Sequence, residues 1–168
     1  VRTREQARPS KRRTVGTYQV FHDGVAQTGA DMRGVIAETR GPGANRPAGN
    51  NRRVEAGPYP LFTPDGTKYV AIDFNPSESS GVLRKPGIEL KETGQRREIL
   101  IHPGRGFLAS VGCINLAGSL PNAAEDITYT SSRRRVIAVI DDMRVFLGAE
   151  FPTRNGRRIP RAFAVIDG

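Results

Sequence analysis

The chain has 168 residues, 37% of them apolar and 26% charged, with a formal net charge of +9; that is one domain's worth of sequence with enough apolar side chains for a core, and it excludes a wholly disordered polymer. No run approaches the roughly eighteen apolar residues needed to cross a bilayer, and no apolar signal segment stands out. One Cys excludes an internal disulfide, and with only two His it excludes a Cys-based zinc centre, so neither a metal nor another cofactor is expected.

Six of the positive charges, Arg2, Arg4, Arg8, Lys11, Arg12 and Arg13, fall in residues 1–13 against one acid, Glu5. Polar, basic and Pro-containing, this stretch reads as a flexible tail or linker before a single folded domain, residues 14–168. Such a tail would concentrate near an anionic surface. It has no interleaved aromatics, and the chain has no zinc-finger or glycine-rich nucleotide fingerprint, which argues against a dedicated nucleic-acid binder.

Thr14 to Phe21 reads as a strand, with His22, Asp23 and Gly24 as a turn, and Gly34 to Thr39 as a second strand. Residues 40–53 are a basic loop rich in Pro, Gly and Asn, either a lid beside a cleft or a solvated connection. Tyr59 to Thr63 and Lys68 to Phe74 flank Pro64-Asp65-Gly66 and read as a hairpin, with Asp73 as a turn acid or an orienter of a base. Short strands follow at Ile88 to Lys91 and Glu98 to His102. From Ser132 to Gly148 the apolar residues Val136, Val139, Ile140, Met143, Phe146 and Leu147 recur three or four apart, predicting a helix capped by Ser131 or Ser132 and stopped by Gly148. Its first turn carries Arg133, Arg134 and Arg135, opposing the helix dipole. Ala162 to Ile166 reads as the last strand, with Ile159-Pro160 marking where a central strand could not begin. Nineteen Gly and twelve Pro agree with many turns and short elements. The fold class expected is a β-rich α+β domain in which one principal helix packs on a curved mixed sheet or sandwich-like core.

The chemistry-bearing stretch is residues 97–116. His102 ends one short apolar run and Cys113 precedes the next, Ile114 to Leu116, with a turn-rich connection between them. An imidazole beside a thiol takes its proton and forms a reactive ion pair, which would draw the thiol below its free pKa of about 8.5. Against this, free Cys is among the most buried residue types, and a chance His–Cys pair is common.

The segment Ser110-Val111-Gly112-Cys113-Ile114-Asn115, with His102 upstream, resembles the signature of the L,D-transpeptidase catalytic domain. The tighter Ile101-His102-Pro103-Gly104 spacing, with the Cys eleven residues after the His, is similar to a small phage and bacterial domain family of unknown function. Arg52 to Leu61 and Glu38 resemble weaker parts of that family's pattern, so the resemblance covers roughly residues 14–118. The shorter Cys loop, and Pro103 after the His, depart from full transpeptidases and imply a reduced lid and acceptor groove.

The resemblance implies acyl transfer or hydrolysis on peptidoglycan stem peptides through a thioester on Cys113, with His102 moving the proton. Ser110 is then a candidate to set the His102 tautomer, and backbone N–H groups around Val111 and Gly112 are candidates for an oxyanion hole. Arg105 and Asn115 are candidates for substrate contact. It places the action in the cell envelope or periplasm, reached through phage or secretion machinery. The alternatives are a non-catalytic phage- or secretion-associated binding module and another Cys hydrolase.

Overall fold

The computed structural model describes residues 1–168. Strands β1 (Arg2–Arg8), β2 (Lys11–Gln19), β5 (Arg33–Thr39), β6 (Gly57–Phe62), β9 (Ile88–Leu90), β10 (Ile99–Pro103), β11 (Ile114–Ala117) and β12 (Arg158–Ile166) form one sheet, in the order β1-β2-β5-β11-β10-β9-β6-β12. Only β10 and β11 run parallel in it; every other neighbouring pair is antiparallel. Two small ladders stand apart, β3 (Phe21–His22) with β4 (Val25–Ala26), and β7 (Tyr69–Val70) with β8 (Lys85–Pro86). The single helix is α1 (Tyr129–Leu147), followed by a 3-10 turn at Gly148–Glu150. The expected class, β-rich α+β with a large mixed sheet and one helix, is what the chain adopts.

Strand alternation divides the sheet's side chains. Ile36, Ile114, Leu116, Ile99 and Leu61 pack with Val136 and Ile140 of α1 in the main core, while Val15, Ala37 and Ala117 pack with Leu120 and Ile127 of the following loop on the other face. The sheet curves until its edges touch at one point, where the Arg2 N–H donates to the Asp167 carbonyl at 3.0 Å. Beyond that contact a cavity of about 730 Å³ opens between the edges and α1, lined by apolar groups including Phe21, Ile101, Met143, Phe146 and Phe163.

The N-terminal residues are not a flexible tail. They form β1 and the start of β2, paired from Arg8–Lys11 to Arg2–Gly16. Their arginines are spent inside the molecule. Arg2 pairs bidentately with buried Glu38 at 2.6 and 3.0 Å. Arg4 donates to the Leu120 and Pro121 carbonyls, Arg8 to those of Ala123 and Ala124. Fully buried Arg13 reaches Gln6 and the Phe107, Asn122 and Glu125 carbonyls, and lies 4.4 Å from the Phe107 ring centre. Loop carbonyls that lack a ladder partner need donors, and these arginines supply them. Lys11 and Arg12 lie exposed at the end of the hairpin.

Other local expectations also change. Residues 59–63 and 68–74 do not pair with each other: β6 lies between β9 and β12, and β7 pairs in parallel with β8. Asp73 is an exposed residue with φ 53°, and its carbonyl takes Arg84. His22 ends β3 beside the Asp23-Gly24 turn, is hydrogen-bonded through Nε2 to the Asp142 carboxylate at 2.7 Å and stacks on Phe146. The helix begins three residues early, with Thr128 at its N-cap. Its arginines neither face a ligand nor lie free: Arg133 donates to the Asn75 carbonyl, Arg134 to Asp31, and Arg135 to the Arg33 carbonyl and Tyr18. Pro160 sits inside β12, tolerated because β12 is an edge strand whose ladder is interrupted between Arg158 and Phe163.

Candidate functional site

The parallel pairing of β10 with β11 builds the site. In register, Ile101 faces Ile114 and His102 faces Asn115. Ile101 and Ile114 point to the main core, so His102, Asn115 and Cys113, two residues before Asn115, share the opposite face. Strand geometry puts the His102 and Cys113 Cα atoms about 8 Å apart on that face. The large apolar cavity lies on the other face and is not part of this site.

Residues 104–113 have to return along the strand in ten residues, a short link for parallel strands. Buried Asn115 holds that link: its Oδ1 accepts the Ala109 N–H at 3.2 Å, and its Nδ2 donates to the His102 carbonyl at 3.1 Å. A Cβ on Gly104 would fall 2.6 Å from the Asn115 amide carbon, so only Gly lets the chain turn there. The Gly104 N–H donates to Ser132 Oγ, fastening the end of β10 to α1. Asn115 therefore orients the loop, and as a fully buried side chain it has no face for substrate.

His102 is 4% exposed. Its Nδ1 lies 2.9 Å from the Pro103 carbonyl, a closer partner than the Asn115 amide nitrogen at 3.5 Å. A carbonyl accepts only, so the proton sits on Nδ1, and Nε2 keeps its lone pair. Burial holds the His102 pKa down to about 4, against the pull of the Pro103 carbonyl; Lys68 and Lys85 lower it further. The ring is neutral at physiological pH.

Ser110 does not set this tautomer. Its Oγ donates to the Cys113 carbonyl at 2.6 Å and accepts the Gly112 N–H at 3.0 Å, closing a tight turn before the Cys. That bond takes Gly112 out of the candidate oxyanion hole, while the Val111 and Cys113 N–H groups have no protein acceptor. Gly112 is needed for another reason. Its φ is 131°, and a Cβ there would overlap the guanidinium of Arg96.

The half-buried Cys113 thiol donates to the Glu98 carbonyl and accepts the Leu100 N–H, both at 3.4 Å; no hydrogen bond joins it to the His102 ring. Burial pushes its pKa up, outweighing the Leu100 N–H and the cations Arg96 and Lys68, while Glu98 adds to the rise. The expected ion pair with a lowered thiol pKa is thus overturned. Desolvation disfavours both charged partners, so the resting pair is a neutral thiol and a neutral imidazole.

Two residues unforeseen in the sequence complete the site. The Tyr69 ring lies 4.5 Å from the His102 ring, and burial together with the neighbouring Cys113 pushes its hydroxyl up to about 12, so it stays a proton donor. Arg96 is buried, donates to the Ala44 carbonyl at 3.2 Å, and touches the Val111 carbonyl. Neither had a spacing signal: Tyr69 arrives on β7 and Arg96 through the loop before β10, and what each touches lies far away in sequence. Arg105 is exposed, with its guanidinium on Ser80 Oγ at 2.9 Å. The 40–53 loop borders the Cys turn through the Arg52 carbonyl and is tied down, with Asn50 bonded to the Ala44 carbonyl and the Gly41 N–H to Glu5.

Comparison with protein-family models, curated proteins and solved structures gave no match.

Proposed function

We propose that the chain is a cysteine enzyme that transfers or hydrolyses acyl groups through a thioester on Cys113, acting on peptidoglycan stem peptides as the resemblance of the Ser110–Asn115 motif implies. The observation that carries this reading is that His102 and Cys113 share one sheet face, with the His102 proton committed to the Pro103 carbonyl and Nε2 left as a base. The pair is neutral at rest, so proton transfer accompanies attack rather than preceding it. As a substrate carbonyl arrives, the thiol leaves Glu98, passes its proton to Nε2, and the sulfur bonds to the carbonyl carbon.

The developing oxyanion has the Val111 and Cys113 N–H groups and the protonated Tyr69 hydroxyl as donors. Collapse of the tetrahedral intermediate breaks the C–N bond, and the imidazolium returns its proton to the leaving amine. An amine or water then attacks the thioester, with His102 taking the nucleophile's proton, and the thiol leaves with it.

The experiment is mass spectrometry of purified muropeptides after incubation with wild type, Cys113→Ala and His102→Gln proteins. Loss of terminal D-Ala, or a new cross-link, in the wild-type sample alone is the expected result. Identical product profiles from all three across several stem-peptide types would sink the assignment and favour a binding module.

A further inference from the structure

Three cations gather around the Tyr69–His102 pair with no carboxylate to balance them. Parallel pairing of β7 and β8 sets Tyr69 opposite Lys85. The ammonium of Lys85 lies 5.4 Å from the Tyr69 ring centre and that of Lys68 lies 5.5 Å from it, within cation–π range of a ring that itself touches His102. Arg105 joins them through Ser80, whose carbonyl takes Lys85 at 2.9 Å and whose hydroxyl takes Arg105 at 2.9 Å. None of the three forms an ion pair, although the chain makes eight elsewhere. Lys85 carries the cost, its pKa lowered by burial and then by Lys68 and Arg105.

Like charges held together without a counter-ion destabilise the fold and are relieved by a bound anion. A surface cation normally finds an acid or spreads into water. Here two lysines from different segments lie over the one ring that packs on the candidate base, and Arg105, from a third segment, shares Ser80 with one of them. Their separate origins make a single solvated charged run an inadequate explanation.

We propose that Lys68, Lys85 and Arg105 form a carboxylate subsite that holds the acyl substrate beside Cys113. This rests on the acyl-transfer reading above. A stem peptide brings two kinds of carboxylate, the C-terminal one and the α-carboxylate of its γ-linked Glu, and the cluster's chemistry suits either. Lys68 and Lys85 donate to the carboxylate as point charges and Arg105 can take it bidentately. Tyr69 stacks between this anion and His102, so the anchor and the reacting carbonyl are set at a fixed separation. The same positive field adds to the burial that keeps His102 neutral.

The test is calorimetric binding to the Cys113→Ala protein, which cannot turn over through the thiol. The probes are the tetrapeptide acetyl-L-Ala-γ-D-Glu-L-Lys-D-Ala and two mono-amidated forms, one amidated at the C-terminus and one at the Glu α-carboxylate. One amidation should weaken binding about ten-fold, and which one does so names the carboxylate. In Lys68→Gln and Lys85→Gln backgrounds the free acid should weaken to match that amide, with circular dichroism unchanged, while Lys85→Arg should retain part of the preference. Equal affinity for all three peptides, no binding of any, or a preference that survives both Gln substitutions overturns the subsite. A carboxylate preference without Cys113-dependent products would instead leave the subsite standing and remove the acyl-transfer reading.

Discussion

Two cationic regions of this molecule have opposite local chemistry. In the β1–β2 hairpin, Arg2, Arg4, Arg8 and Arg13 are matched by Glu38 and by loop carbonyls. Around Tyr69, Lys68 has no hydrogen-bonded partner, and Lys85 and Arg105 share one serine. The difference teaches how a net charge of +9 divides: cations whose acceptors the fold provides are structural, and cations gathered without acids beside buried His102 have no counter-ion within the protein. A basic stretch in a sequence carries neither label.

The contrast is broken most severely at Arg13. Replacing it with Ala strands Gln6 and three backbone carbonyls in the second core, so urea denaturation should show a loss of about 4 kcal/mol, and the melting temperature should fall by about 10 °C. Arg13→Lys should recover only part of this, because an ammonium cannot span the same acceptors. A stability within experimental error of wild type would mean that the hairpin arginines are as dispensable as exposed ones.

Next comes pH. His102 titrates at about 4 in the folded chain and near 6.5 unfolded. Between these values the unfolded state binds the extra proton, so stability is fully present above about pH 6.5 and declines as pH falls toward 4. The loss is about 3 kcal/mol over that window, and His102→Gln should remove that part of the slope in denaturation series taken from pH 7 to 4. An unchanged slope would show that His102 is not held neutral by burial.

A smaller effect belongs to the thiol. Iodoacetamide should react slowly with wild-type Cys113 at neutral pH, with the rate rising only above the ordinary thiol range, since burial raises the pKa. Removing the Lys68 charge by Lys68→Gln should slow alkylation at pH 8 by about two-fold, whereas Arg12→Ala, far along the hairpin, should leave it alone. A fast, low-pH alkylation limb would restore the resting ion pair. The smallest effect is expected at Lys11→Ala and Arg12→Ala, whose stabilities should stay within about 0.5 kcal/mol of wild type.

Local pattern made much of the architecture legible. The strands read at 14–21, 34–39, 88–91 and 98–102 overlap β2, β5, β9 and β10, and the 3.6-residue stripe of Val136, Ile140 and Leu147 lies on α1 and supplies its buried face. The positions of His102 at a strand end and Cys113 just before the next strand were likewise readable from short apolar runs and turn residues. What misled was composition: residues 1–13 are polar and basic enough for a solvated tail, yet β1 is stable because its arginines meet carbonyls more than a hundred residues away.

The sequence by itself determined the helix, the strands after residue 14 that sit in apolar runs, and the nearness of His102 and Cys113 along the chain, because periodicity, turn residues and spacing are local properties. Only the tertiary structure decided the protonation of that pair, since desolvation depends on what covers a group: the Pro103 carbonyl sets the His102 tautomer, and burial keeps the Cys113 thiol protonated. It also decided that Tyr69 and Arg96 join the site and that Ser110 and Asn115 shape its loop. Those contacts come from strand register and loop crossing, and non-local pairing leaves no period in the residues that make it.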